Sequence, residues 1–161
     1  MSEENFCNWN KEVACYTSFF DGVAKGNPGN AGAGGVIKNM EGEIEHIYAW
    51  DLGQDTNTQA EAMALLQGLK VMQKVGIKEA KVIGDSQTLI KMLVENTSPK
   101  DLRLTRLMAR IKKLASSFQK LSFFHVLWNN NKEADTEANR VSLLLVGTLL
   151  WDGEENWDPI P

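Results

Sequence analysis

The chain has 161 residues and a mass of 17.9 kDa, with 43% hydrophobic and 24% charged residues, the composition of one globular domain and too little chain for two ordinary ones. A wholly disordered chain, a collagen-like repeat and a disulfide scaffold are excluded, and the longest apolar run, Leu143 to Gly147, is far too short to cross a bilayer. The formal net charge of −4 argues against a general nucleic-acid binder, yet residues 1–12 carry −2, residues 151–161 carry −4 and residues 100–120 carry +6.

Residues 1–12 read as an N-terminal extension, 13–147 as the domain and 148–161 as an acidic C-terminal tail without regular structure. The start, Met1-Ser-Glu-Glu, is acidic and no apolar stretch follows, so no signal peptide is read. The expected setting is intracellular, cytoplasmic or nuclear, with no membrane partner. Cys7 and Cys15 either pair or stay free, and two cysteines suit a reducing compartment. With only His46 and His125 beside them, no zinc site of ordinary ligand spacing is present.

The β-branched and aromatic run 14–21 reads as a strand ending at Asp21, and 21–30 as turn chemistry. Residues 32–38 form a second strand whose glycines imply close backbone approach, 40–43 a hairpin turn, and 43–50 a third strand, giving an antiparallel meander. A helix opens at Asn57 and runs to about Val75, with apolar residues 62, 65, 66, 69 and 72 in one stripe and Gly76 at its end. Residues 80–85 are a short buried strand, and strand-helix-strand in this order implies a parallel crossover. A short helix 87–94, a longer one over 100–118, a fifth strand 121–127 and a polar loop at Asn129, Asn130 and Asn131 follow. Asn131 or its neighbour can cap the last helix, along which Ala134, Ala138, Val141 and Leu145 share a face. Arg103, Arg106 and Arg110 also share a helix face, which is either a solvated surface or a phosphate-contacting ridge beside a site elsewhere.

Four acids stand where acids are costly. Asp21 and Asp85 end apolar strands, Glu61 lies along the apolar stripe of its helix, and Asp135 is in a first helical turn beside Ala134. Singly, Asp135 reads as a dipole-favoured helix acid, Asp85 as a cap and Glu61 as a residue at the stripe edge. Together, on adjacent parallel strands with two helices packed over them, they meet. Such a cluster raises its own pKa values unless a cation enters, and oxygen-only ligands suit Mg²⁺ or Mn²⁺. Two divalent ions would neutralise the four and could clamp the attacking and leaving oxygens of a phosphodiester.

Four segments, residues 20–36 (FDGVAKGNPGNAGAGGV), 56–69 (TNTQAEAMALLQGL), Gly84-Asp85-Ser86 and 131–139 (NKEADTEAN), occur in this order. Each is weak alone; together they resemble the type 1 ribonuclease H family, in the compact, archaeal-like branch found in plants and plant retroelements. The resemblance covers about residues 13–142. It implies an α/β ribonuclease H-like fold, a five-stranded mixed sheet flanked by helices, with strands 1–3 antiparallel and strands 4 and 5 parallel. It implies endonucleolytic hydrolysis of the RNA strand in an RNA/DNA hybrid with two Mg²⁺ ions, Mn²⁺ substituting, leaving 5′-phosphate and 3′-hydroxyl ends. Carried over, Asp21, Glu61, Asp85 and Asp135 are catalytic metal-binding carboxylates, and Gly22, Asn57, Thr58, Gln59 and Ser86 are substrate-contacting positions. Asn57 has a second reading as a helix N-cap, and Ser86 reads better as a cap than as a phosphate contact.

The loop Trp128-Asn-Asn-Asn-Lys132 lacks the histidine that many relatives carry there, and His125 reads as a packed core histidine. No basic protrusion and no separate hybrid-binding domain are read in the sequence, so affinity is expected to be weak and salt-sensitive unless the chain, read as a monomer, is tethered to a reverse transcriptase. Three rivals remain: a catalytically inactive nucleic-acid-binding domain of the same fold from a retroelement polyprotein, another nuclease on this fold, and a docking role for the tail through Trp151 and Trp157.

Overall fold

The computed structural model describes residues 15–26, 29–95, 101–141, 149–151 and 154–155. The expected extension 1–12, Cys7, Leu145 and Trp157 lie outside the described residues, and Cys15 is a free thiol. Strand β1 (Tyr16–Gly26) pairs antiparallel with β2 (Gly29–Lys38), which pairs antiparallel with β3 (Ile44–Asp55). Strand β4 (Glu79–Gly84) lies parallel to β1, and β5 (Lys120–His125) parallel to β4. These five strands form the expected mixed sheet in the order β5-β4-β1-β2-β3.

Two further strands, β6 (Leu149–Trp151) and β7 (Glu154–Glu155), continue the sheet beyond β3. They fall inside the segment expected to be an irregular tail. Backbone pairing with Tyr48, Ala49 and Trp50 organises it, a partner that local composition does not reveal.

Asp21 does not end its strand. β1 runs five residues further, through Gly22 to Gly26, and Asp21 lies opposite Gly34 in the ladder. Residues 21–30 read as turn, but at Gly22 glycine serves close packing rather than chain reversal. The reversal lies between Gly26, at φ 95°, and Gly29. The second turn follows expectation: Asn39 Oδ1 accepts from the N–H groups of Glu41 and Glu43, each at 3.0 Å, and Gly42 takes φ 81°.

Helix α1 (Asn57–Lys74) begins at Thr56, whose Oγ1 accepts from Gln59 N at 3.2 Å. It ends where Ile77 N donates to Met72 O and Gly76 N to Gln73 O, with Gly76 at φ 84°, a Schellman closure. Helix α2 (Gln87–Glu95) and helix α3 (Leu102–Ala115) share this face of the sheet with α1, and Asp101 caps α3 through Arg103 N at 2.9 Å. The main core lies here, built on Phe20, Ile37, Tyr48, Leu65, Leu69, Met72, Val82 and Ile111. Helix α4 (Lys132–Val141) covers the opposite face over a smaller cluster of Phe19, Val36, Ile83, Val126 and Ala134. His125, expected in the core, is half-buried at the end of β5 opposite Gly84. Among the described residues no helix is long and apolar enough to cross a membrane.

Candidate active site

The parallel register decides the first contact. Phe19 stands beside Ile83, so two residues further along each chain Asp21 comes beside Asp85. Two glycines then bring helices down on either side of β1. A Cβ on Gly22 would overlap the backbone of Ala60 and Glu61, so its absence lets α1 settle on the strand and delivers Glu61. On the other face a Cβ on Gly34 would overlap Ala138 N, so α4 settles with Asp135 near Asp21.

The outcome is a group of three, Asp21, Glu61 and Asp85, each offering an oxygen within 4.8 Å of the others. Asp135 stands at its edge, hydrogen-bonded to Asp21 and outside the tight triad. Asp21 is only 4% exposed. Burial, then the neighbouring charges of Asp85, Asp135 and Glu61, push its pKa well above the usual carboxylate range. Glu61 is raised to about 7, mainly by burial, with Asp85 adding to the rise and a hydrogen bond from Ser86 opposing it. Asp85 is also raised by burial, although Asn131 and the Asp21 carboxyl hydrogen-bond to it and favour its charged form. The same crowding that favours protons on these acids would be relieved by a divalent cation.

The remaining predicted positions divide by what they touch. Gly22 is buried under α1, and its N–H donates to Asp21 Oδ1 at 2.9 Å. Asn57 is exposed and is not the cap, since Thr56 takes that role; its Oδ1 accepts from Ala24 N at 2.8 Å and ties the helix start to the extended part of β1. Thr58 is partly exposed, whereas Gln59 is buried at 6%. Ser86 caps α2 as expected, accepting from Leu89 N at 3.3 Å, and also bonds Glu61.

Asn131 was legible only as a capping residue. Its backbone carbonyl does receive Asp135 N at 3.1 Å. Its side chain, 1% exposed, does more: Nδ2 donates to Phe20 O at 2.8 Å, and the amide also reaches Asp85. One amide thus joins the residue before Asp21, the Asp85 carboxylate and the start of α4. A polar loop residue four positions before an alanine-flanked acid was the available signal.

Residues 19–141 match the protein family described as reverse transcriptase-like. Ribonuclease HI of Halobacterium salinarum is 34% identical over 122 residues, 76% of this chain and 61% of that protein. The crystal structure of ribonuclease H1 from Halobacterium salinarum superposes with a TM-score of 0.75, over 78% of this chain and 95% of that one. The chain belongs to the type 1 ribonuclease H family. The N-terminal ribonuclease H domain of Rv2228c from Mycobacterium tuberculosis, solved as a fusion with maltose-binding protein, gives a TM-score of 0.77 at 29% identity, over 81% of this chain and 94% of that one. LC11 ribonuclease H1, solved in complex with an RNA/DNA hybrid, gives 0.73 at 29% identity, over 78% and 94%. The chain spans 61% of the length of the curated archaeal relative and 33% of the mycobacterial Rv2228c protein. Ribonucleases H use divalent metals, and in this member Asp21, Glu61 and Asp85 could bind one.

Proposed function

We propose that this chain is a metal-dependent endonuclease that hydrolyses the RNA strand of RNA/DNA hybrids, leaving 5′-phosphate and 3′-hydroxyl ends. One observation carries the reading: three carboxylates from β1, α1 and the end of β4 converge within 4.8 Å while two of them are held largely buried. A fold gains nothing from crowding like charges this way unless a cation joins them.

The donor set fits hard, oxygen-preferring cations, with Mg²⁺ as the resident ion and Mn²⁺ as its substitute. Asp21, Glu61 and Asp85 would hold it, with Asp135 available to complete a second position beside Asp21. When bound, a pair of such ions supplies activation of water and neutralises charge growing on the leaving 3′ oxygen. The chain's own groups keep the ligands in place. The Gly22 N–H fixes Asp21, the Ser86 hydroxyl holds Glu61, and the Asn131 amide holds Asp85. Asn57 and Thr58, at the start of α1, would meet a minor groove, where the 2′-hydroxyl distinguishes RNA from DNA. All four acids come from one chain, so a monomer suffices.

The test is a labelled RNA/DNA hybrid alongside duplex RNA and duplex DNA, with Mg²⁺ or Mn²⁺ titrated and with EDTA. The expected result is internal cutting of the RNA strand of the hybrid alone, dependent on metal. Cleavage surviving EDTA, or equal attack on duplex RNA, would reject the assignment. Hybrid binding with no cleavage at any metal concentration would favour an inactive binding domain.

A further inference from the structure

The outer surface of α1 and α3 is almost free of acids. Glu61 is the only acidic residue from Asn57 to Lys74, and from Leu102 to Ala115 there is none. Against this stand Lys70 and Lys74 on α1, and Arg103, Arg106, Arg110, Lys112 and Lys113 on α3, in a chain whose net charge is −4.

The two helices are tied at both ends. Arg103 Nη2 lies 2.7 Å from Asp55 Oδ2, two residues before α1 starts, and Gln73 Nε2 donates to Ser117 Oγ at 3.3 Å where both helices finish. Between these ties lies an open groove of about 470 Å³, lined by Leu66, Lys70, Gln73, Arg110, Lys113 and Leu114. Arg106, Arg110 and Lys113 are exposed, and among the described residues no carboxylate pairs with them. They recur at i, i+4 and i+7, so they repel one another along one edge of α3.

Such a row suits a ligand of repeating negative charge. From Arg106 to Lys113 is seven residues, about 10 Å along the helix. A nucleic-acid strand advances about 3.4 Å per phosphate along its axis, so several phosphates match that length. A single compact anion would leave most of the row unused. Along α1, Glu61 and Lys70 are about 14 Å apart and on opposite sides of the helix, so a strand leaving the carboxylate cluster reaches the row by passing over α1.

We propose that the acid-free face of α1 and α3 holds the phosphodiester backbone of the nucleic acid extending beyond the duplex at the carboxylate cluster. The proposal rests on the hybrid-nuclease reading for its substrate and adds a second, sequence-independent contact to it. This contact gives an acidic protein its grip on a polyanion without placing cations beside the acids that bind metal.

The test compares the intact chain with an Arg106→Ala/Arg110→Ala/Lys113→Ala variant on a hybrid of about six base pairs and one of about eighteen, at increasing KCl. Binding is read by fluorescence anisotropy, cleavage by kcat and KM, and folding by circular dichroism. The variant is expected to fold normally and to keep the wild-type kcat on the short hybrid. On the long hybrid its slope of log affinity against log salt should fall by about 2–3, and the preference for length should disappear. An unchanged slope and length preference would overturn the proposal. A wild-type chain that binds the long hybrid but cuts neither overturns the nuclease reading instead, and anisotropy still reports on this face.

Discussion

The two faces of the sheet are built to different standards. The face under α1, α2 and α3 buries twenty-one hydrophobic residues in one cluster among the described residues, while the face under α4 buries five. The carboxylate cluster sits at the seam: Glu61 comes from the thick side, Asp135 from the thin side, and Asp21 and Asp85 from the strands between them. The thick side supplies stability and the thin side supplies the last adjustment of the site. In this arrangement a costly group of like charges is supported by a core it does not interrupt.

Replacing the acid at the centre of the seam should have the largest effect. Asp21→Asn is expected to lower metal-dependent cleavage by at least about a thousandfold, roughly 4 kcal/mol of lost transition-state stabilisation. The same change should raise the melting temperature of the metal-free chain, because it removes the most crowded acid of the cluster. Full activity in this variant would refute the shared-metal site.

The two glycines contrast the faces directly. Gly22→Ala pushes α1 off the strand and should cost about a hundredfold in rate together with about 1–3 kcal/mol of stability, since the thick core moves with the helix. Gly34→Ala pushes α4, under which the described residues bury a smaller cluster, so rate should fall with a smaller loss of stability. Chemical denaturation and steady-state kinetics on the pair would show the difference, and equal stability losses would contradict it.

The pH dependence follows from the raised carboxyls. Asp21, Glu61 and Asp85 have folded pKa values above their unfolded ones, with Glu61 at about 7. The folded, metal-free chain therefore holds protons that the unfolded chain releases. The stability this provides is complete below about pH 4 and is lost as pH rises through 7 and above. Melting temperature without metal should fall by a few degrees, about 2–6 °C, from about pH 5.5 to 8.5, and saturating Mg²⁺ should restore it. A metal-free melting curve that rises over this range would contradict the crowding.

The smallest expected effect lies inside the thick core. Gln67 is fully buried, and among the described residues neither its Oε1 nor its Nε2 has a partner. Gln67→Met keeps the shape and removes two orphaned polar atoms, so it should stabilise by about 1 kcal/mol without altering cleavage.

Most of this organisation was legible in the sequence because periodicity reports burial. The stripe at 62, 65, 66, 69 and 72 and the run Val82-Ile83 marked α1 and β4, and they carried Glu61 and Asp85 into place. Residues 22–26 misled because Gly22 and its small neighbours look like a turn when they in fact extend β1 and admit α1. Thr56 and Asn57 are both good caps, and only the path of β1 beside Ala24 decides between them. The contact of the Asn131 amide with Phe20 and Asp85 spans elements distant in the chain, so no local pattern announces it. β6 exists through pairing with β3 and β7, and composition was silent there for the same reason.

Asn131 also gives α4 a further consequence. Because the same short stretch supplies Asp135 and the amide that braces Asp85, displacing the start of α4 would disarm cleavage while the core under α1, α2 and α3 stayed intact. Heat, proteolysis or a partner seizing that segment would act on the molecule as on a fuse, switching off activity well before the scaffold came apart.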